Sequence, residues 1–238
     1  MKKSYDIIFE DTEILVVNKA AGVPVIPGRT SEMDFSLKYL FKKKYGDIFI
    51  VHRIDAETSG IVILAKDAET HRRLNTMFQN RQIEKQYLLL TRGIPRPDEG
   101  EIELSLKKLN NQNKSVVSKE GKAALSTYKV LKKYQNIALC EAEIKTGRHH
   151  QLRVHFKAIN TPLLVDPIYG DPGFYLSEIK AKKYNKNKDA VERPLMNRLS
   201  LHANKLSFLH PTSGEKMSFE AALPKDLRAV INQLDKSV

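Results

Sequence analysis

Residues 51–66 read VHRIDAETSGIVILAK, and they place a polar loop directly before a strongly apolar strand. The polar or charged side chains crowded into this loop are His52, Arg53, Asp55, Glu57, Thr58 and Ser59. A short polar loop between rigid apolar strands is a usual place for reactive side chains. The same composition is also typical of an ordinary turn, which from composition alone is the better interpretation.

The sequence on either side predicts a chain that mixes strands and helices. Apolar runs predict strands at residues 7–10, 13–20, 60–66, 86–90, 199–210 and 216–223, and hairpins between about 100 and 143. Helical spacing predicts helices from a cap at Ser31 to Tyr45, from a cap at Asp67 to near Arg81, from Arg148 to Ile159, and after Pro224. The lysine-rich stretch 177–193 is interpreted as a surface loop or insertion. We therefore predict one α+β domain over residues 1–238 with a large mixed, mostly antiparallel sheet flanked by helices.

A second segment, TGRHHQLRVHFKAINTPLLVDPIYG at residues 146–170, is dense in basic and histidine side chains. No acidic residue lies between Arg148 and Lys157. A basic helix whose N-terminus points outward suits phosphate, and the alternative is a solvated basic face without a ligand. The segment alone does not choose between the two.

The bulk composition favours an anionic partner. The 238 residues include 40 Lys and Arg against 28 Asp and Glu, which gives a formal net charge of +12. Nucleic acid is the commonest partner of such proteins, although many small proteins are basic for no specific reason. The single Cys140 excludes a disulfide within the chain, and no apolar run reaches the roughly 18 residues of a membrane span. We expect a soluble, cytoplasmic protein.

The histidines do not follow a metal-binding pattern. His150 and His155 are five residues apart, which separates them by about 140° around a helix. An HExxH motif, a GxSxG elbow around Ser59, a GxGxxG loop and a P-loop are all absent from the sequence. These patterns disfavour a metal site, a serine hydrolase and a nucleotide cofactor.

Together the two segments resemble the signature motifs of the RluA-type family of RNA pseudouridine synthases. HRIDAETSG is similar to the family's H-R-L/I-D-x-x-T-S-G motif, and TGRHHQLRVH is similar to T-G-R-x-H-Q-I/L-R-V-H. Further matches follow in the family's order: NKAAGVPVIPG (18–28), EKQYLLL (84–90), GKAALSTYKVL (121–131) and LSLHANKLSFLHPTSGE (199–215). The resemblance covers almost the whole chain, and coincidence does not explain so many motifs in order.

Three positions depart from the family pattern. Ala20 replaces a Pro, Ala56 replaces a Lys and Val165 replaces a Gly. None of them removes a group that the chemistry needs, so they bear on the target RNA and not on the reaction. The extra N-terminal RNA-binding domain of many members is not expected, because the first motif begins by residue 18.

The resemblance implies a cofactor-free isomerisation of uridine to pseudouridine in structured RNA, in a central RNA-binding cleft. It assigns Asp55 as the catalytic carboxylate, which either attacks the anomeric sugar carbon or removes the adjacent sugar proton. It implies Arg153 as the bidentate partner of Asp55. Tyr87 is expected to stack on uracil and to assist proton removal from carbon five, and the alternative is a core tyrosine.

The target base must leave its stack, which costs on the order of a few kcal/mol. Arg53 is expected to fill the vacated space or to contact a phosphate. The other expected RNA- or substrate-binding residues are His52, Lys19, Thr58, Lys85, Arg148, His150 and Leu201, with Leu199 as the alternative to Leu201. Large-subunit ribosomal RNA and a transfer RNA stem-loop are both candidate targets. We expect a monomer without a metal ion.

Two other functions fit parts of the sequence. One is a non-catalytic RNA-binding protein with a degenerate synthase fold, which the presence of Asp55, Tyr87 and Arg153 argues against. The other is a hydrolase or lyase that acts on a nucleoside or sugar with Asp55 and Glu57. It would release uracil and would not need RNA.

Overall fold

The computed structural model describes residues 3–27, 35–110, 112–180 and 191–237. The strands are β1 (Tyr5–Glu10), β2 (Ile14–Lys19), β3 (Phe49–Ile50), β4 (Ser59–Ala65), β5 (Glu84–Arg92), β6 (Glu99–Glu103), β7 (Leu106–Lys108), β8 (Ser115–Val117), β9 (Leu125–Lys133), β10 (Ile137–Ile144), β11 (Leu201–Leu209) and β12 (Lys216–Glu220). The helices are α1 (Leu37–Tyr45), α2 (Ala68–Gln79), α3 (Gln151–Ala158), α4 (Leu176–Ile179) and α5 (Lys225–Asp235). The predicted α+β class with a large, mostly antiparallel sheet is confirmed.

The chain forms two compact units. Unit 1 comprises Met1–Tyr87 and His202–Ala222, and unit 2 comprises Leu88–Leu201 and Leu223–Val238. The chain leaves unit 1 within β5 and returns to it within β11. That residues 1–238 act as one catalytic domain without an accessory RNA-binding domain stays a prediction.

Unit 1 is organised around β4, all of whose residues are buried. It pairs antiparallel with β2 and β3 and parallel with the start of β11. Burial on both faces explains why this strand reads as an unbroken apolar run. Helix α2 packs Leu74 into the same core. The Asp67 side chain caps this helix by accepting the backbone N–H of Thr70 at 2.8 Å, as the sequence predicts.

Unit 2 contains the antiparallel strands β6, β9 and β10, and β7 and β8 form a separate two-stranded ribbon. Helix α5 buries Leu227, Val230 and Leu234 in a core that includes Phe174 and Leu164. None of the helices in the described ranges has the length and apolar character needed to cross a membrane.

Two predicted helices begin later than expected. Ser31 lies outside the described residues, and α1 begins at Leu37 with Ser36 as its N-cap. The first backbone N–H groups of α1 donate to the carbonyls of residues 24 and 25, which fixes this start. Helix α3 begins at Gln151, because His150 adopts a left-handed conformation with φ 57°. Most of the lysine-rich stretch 177–193 lies outside the described residues.

Candidate active site

Asp55 lies on a tight turn between β3 and β4. Its backbone carbonyl accepts the N–H of Thr58 at 3.1 Å, which closes a four-residue turn, and aspartate is favoured at the first position of such turns. Ile54 and Thr58 are buried on either side, whereas Asp55 is half-buried. The turn therefore holds the carboxylate at the surface of unit 1 on a fixed backbone.

Lys19 holds this turn from inside unit 1. Its side chain is 0% exposed, and its Nζ donates to the carbonyls of Ala20, Val23 and Ala56 at 2.9, 2.7 and 2.8 Å. The Ala56 carbonyl also accepts the N–H of Gly22 at 2.8 Å. This placement does not fit the predicted RNA contact of Lys19, because an RNA phosphate needs an accessible ammonium. We interpret Lys19 as a structural residue whose hydrogen bonds connect the turn after Asp55 to the loop at residues 20–25.

The start of β4 is fixed by a close approach to β11. Gly60 has φ 116°, and a Cβ at this position would lie 2.2 Å from the carbonyl oxygen of Ala203. Next to it, His202 Nε2 donates to the Ala221 carbonyl at 3.1 Å, so its Nδ1 accepts the Ser59 hydroxyl at 2.9 Å. Ser59 and His202 are both buried, and this contact is a structural link rather than a nucleophile pair.

Replacement of Gly60 by Ala is expected to destabilise the protein by about 3 kcal/mol or more, since the new methyl group meets backbone that cannot move aside. Gly214→Ala is the matched control, because Gly214 also has a positive φ (71°) but a Cβ there has no neighbour within 4 Å. We expect this control to lose about 1 kcal/mol. Urea unfolding of both variants measures the difference, and equal losses would contradict the packing argument.

Tyr87 lies in the same unit as Asp55, at the buried part of β5. Burial and then the Asp55 carboxylate raise the pKa of the phenol far above its usual value. The carboxylate acts on the phenol because their charged forms would repel each other across a poorly solvated region. Asp55 is thus near enough for its charge to add to the raised pKa of Tyr87, and the phenol is protonated near neutral pH.

His52 and Lys85 lie beside Phe78 in unit 1. The ring of His52 stacks on Phe78 with centroids 4.9 Å apart, and Lys85 Nζ lies 5.2 Å from the centroid of the same ring. His52 Nε2 accepts the backbone N–H of Ile63 at 3.1 Å, so its ring replaces a backbone carbonyl just beyond the end of β3. Burial, and to a smaller extent the Lys85 cation, lower the pKa of His52 to about 3. Any RNA contact of His52 near neutral pH would therefore be made by an uncharged ring.

His52 is expected to make the protein acid-sensitive. The pKa of His52 is about 3 in the folded protein, below the usual value of 6.5. As the pH falls, His52 of the unfolded chain therefore binds a proton before His52 of the folded protein does. The stability that is present above pH 6.5 is consequently lost as the pH falls towards 3. Between pH 7 and pH 5 the free energy of unfolding of the wild type should fall by about 2 kcal/mol more than that of His52→Gln. Urea unfolding at the two pH values tests this, and parallel pH dependences would contradict it.

Arg153 lies on α3 in unit 2 and is held by a carboxylate that the sequence did not single out. Its Nε and Nη2 donate to the two oxygens of Asp166 at 2.8 and 2.6 Å. Asp166 is 0% exposed, and its Oδ1 also accepts the N–H groups of Ile168 and Tyr169. The bidentate geometry expected of Arg153 is present with this acceptor, and its pairing with Asp55 stays a prediction.

The remaining predicted residues fall into accessible and buried groups. Arg53 and Arg148 are exposed. Thr58, His150, Leu199 and Leu201 are buried. Arg148 donates its Nε to the Ala123 carbonyl at 3.0 Å and precedes α3 instead of lying in it. Within the described ranges, no group of three or more His, Cys, Asp or Glu residues is placed to hold a metal ion.

Asp166, Tyr169 and His202 were missed by the sequence reasoning. For Asp166 a signal existed, because an acidic residue in the apolar run LLVDPIY is expected to have a buried partner. His202 follows the apolar β11 pattern and its two partners are distant in sequence, so no local signal pointed to it.

Residues 13–158 match the family model described as RNA pseudouridylate synthase. The chain therefore belongs to the RNA pseudouridylate synthase family, and the relatives confirm the RluA-type resemblance. The ribosomal large subunit pseudouridine synthase D of Neisseria meningitidis serogroup B is 36% identical over 236 residues, which cover 96% of this chain and 61% of that protein. The protein of the same description from Zymomonas mobilis is 32% identical over 96% of this chain and 72% of its own length.

A solved structure supports the same relationship. Human RNA pseudouridylate synthase domain containing 4 has a TM-score of 0.75 and is 27% identical, with 96% of this chain and 92% of that chain covered. This chain spans less than two thirds of the length of the Neisseria relative, so activity and substrate do not transfer with the family alone.

Proposed function

We propose that this protein isomerises uridine to pseudouridine in structured RNA, with Asp55 as the catalytic carboxylate. The observation that carries the proposal is the Asp55 turn, which unit 1 fixes through Lys19 and Gly22 and couples electrostatically to Tyr87. A catalytic carboxylate must be held in a fixed position, and the surrounding residues of unit 1 hold Asp55 in this way. The residues that provide this support belong to motifs that match the family.

The reaction is an isomerisation in which atoms and electrons balance. The bond between the sugar C1′ and uracil N1 breaks, the base turns, and a bond from C1′ to C5 forms. The hydrogen on C5 leaves as a proton and N1 takes up a proton, so no oxidant or cofactor is consumed. Asp55 either attacks C1′ or removes the proton on C2′, and both routes need its ionised form.

Arg153 is proposed to stabilise the ionised Asp55. Its guanidinium is planar and presents its N–H donors in the fork geometry that binds carboxylates, and the contacts with Asp166 and His150 fix its plane. Support comes from its burial and from its position in the TGRHHQLRVH motif.

Tyr87 is proposed to pack against the uracil and to donate a hydrogen bond. Its raised pKa disfavours the phenolate that direct removal of the C5 proton would need near neutral pH. The stacking role is therefore the better supported of the two roles that the family resemblance implies.

The proposed RNA contacts lie on exposed basic groups. Arg53 is exposed beside the Asp55 turn and is proposed to enter the space left by the flipped base. In unit 2, a groove of about 270 Å³ is lined by Lys107, Lys108, Lys122, Arg148 and His149 together with Leu106, Ser115, Glu120 and Gly121. Its basic side chains suit phosphates. We propose a monomeric cytoplasmic enzyme that acts on large-subunit ribosomal RNA, as the names of two relatives indicate for those proteins.

Transcripts that carry tritium at uridine C5 test the proposal, because pseudouridine formation releases this hydrogen to water. We expect tritium release from large-subunit ribosomal RNA transcripts of the organism whose genome encodes this chain. We expect no tritium release from its transfer RNA transcripts. Release from transfer RNA alone would contradict the proposed ribosomal target but would support the proposed isomerisation of uridine. Absence of release from both would contradict the reaction. Mapping pseudouridines in cells with and without the gene identifies the position.

A further inference from the structure

The guanidinium of Arg153 is held on three sides within unit 2. Asp166 binds one edge, and Nη1 donates to His150 Nε2 at 3.1 Å. The ring of Tyr169 lies against its face, with the guanidinium carbon 5.0 Å from the ring centroid. All four side chains are buried. We call Asp166, His150 and Tyr169 the Arg153 seat.

The hydroxyl of Tyr169 closes this arrangement. Because His150 Nε2 accepts from Arg153, the ring proton of His150 sits on Nδ1 and donates to the Tyr169 oxygen at 2.9 Å. The same oxygen accepts the backbone N–H of Ser115 at 2.7 Å. One connected set of hydrogen bonds thus runs from the guanidinium through His150 and Tyr169 to the first residue of β8.

We propose that Tyr169 is a positioning residue for Arg153. Its hydroxyl orients His150, and His150 in turn fixes the plane of the guanidinium. A free arginine side chain samples many rotamers, and the Arg153 seat removes this freedom before RNA binds. The inference rests on the proposed function, because a fixed guanidinium matters to catalysis only if Arg153 acts on Asp55.

The seat also links Arg153 to the basic groove. Ser115 lines that groove, and its hydroxyl donates to His149 Nδ1 at 2.9 Å while its backbone N–H binds Tyr169. The ring of His149 stacks on that of His150, with centroids 3.7 Å apart. The orientation of Arg153 therefore depends on the same residues that shape the groove.

Tyr169→Phe tests the proposal, because it keeps the ring on the guanidinium and removes only the oxygen that both N–H groups bind. We expect kcat for tritium release from the large-subunit transcript to fall about tenfold to a hundredfold, with KM changed by less than about threefold. Tyr128→Phe is the matched control. Tyr128 is also buried in unit 2, and its hydroxyl donates to the Pro97 carbonyl at 3.1 Å, so we expect it to retain wild-type kcat.

His150→Asn provides a second, independent interruption of the same connection, since Asn tolerates the left-handed backbone at this position. A loss of kcat similar to that of Tyr169→Phe is expected. Wild-type kcat in either variant, or an equal loss in Tyr128→Phe, would overturn the proposal. A wild-type protein that releases no tritium from any transcript would overturn the proposed function and this inference with it, so the two failures are distinguishable.

Discussion

Asp55→Asn is expected to lose pseudouridine formation by about a thousandfold or more while RNA binding stays within about threefold of the wild type. Asparagine has the shape of aspartate and keeps the backbone turn to Thr58, because that hydrogen bond uses the main-chain carbonyl. It cannot attack a sugar carbon or accept a proton at neutral pH. Tritium release measures the activity, and filter binding to the same transcript measures the affinity.

Glu57→Gln is the matched control for Asp55→Asn. Glu57 lies two residues further along the same turn and is exposed. It should retain wild-type activity, since neither proposed route uses it. Substantial activity in Asp55→Asn would remove Asp55 from the mechanism. Loss of activity in Glu57→Gln would instead favour chemistry that needs two carboxylates.

Arg153→Met is expected to cost about 3–5 kcal/mol of unfolding free energy and to abolish detectable activity. The stability is lost because Asp166 is 0% exposed and its buried carboxylate would be left without the guanidinium that compensates it. Arg198→Met is the matched control. Arg198 makes the same bidentate contact with Asp226, but that carboxylate is 35% exposed, so water replaces the lost partner. We expect this control to lose about 1 kcal/mol and to stay active.

The double variant Arg153→Met with Asp166→Asn separates stability from activity. An amide at position 166 keeps an oxygen for the N–H groups of Ile168 and Tyr169 and removes the unpaired charge. Most of the lost unfolding free energy should therefore return, whereas activity should not. Recovery of both would show that Arg153 has no role beyond neutralising Asp166. Chemical unfolding and tritium release on the same preparations provide the two readouts.

The strands and α2 were predictable because local patterns determine them. The run 60–66 is apolar since β4 is buried on both faces, and Asp67 precedes α2 because a capping carboxylate satisfies a free N–H group. The start of α3 was not predictable from helical spacing. The Gln151 side chain accepts both the Thr146 hydroxyl and the Arg148 N–H, which keeps those residues outside the helix.

The identities of the candidate site residues were predictable from motifs, but the orientations of their side chains were not. Asp55, Tyr87 and Arg153 were identified from the family resemblance, but the sequence does not show which way a side chain points. Lys19 ends an apolar strand and was expected to face RNA, whereas it points inward to three carbonyls. Asp166 follows Arg153 by 13 residues and lies beyond the end of α3. Their pairing therefore depends on how α3 packs against the turn that contains Asp166.

Nucleoside analysis of RNA incubated with the protein distinguishes isomerisation of uridine from release of its base. Large-subunit transcript treated with the wild-type protein is digested to nucleosides, which are separated and compared with the products of Asp55→Asn. We expect pseudouridine in the wild-type digest, an equal decrease in uridine, no free uracil, and unchanged uridine with the variant. Free uracil without pseudouridine, or pseudouridine formed by Asp55→Asn, would contradict the proposed function.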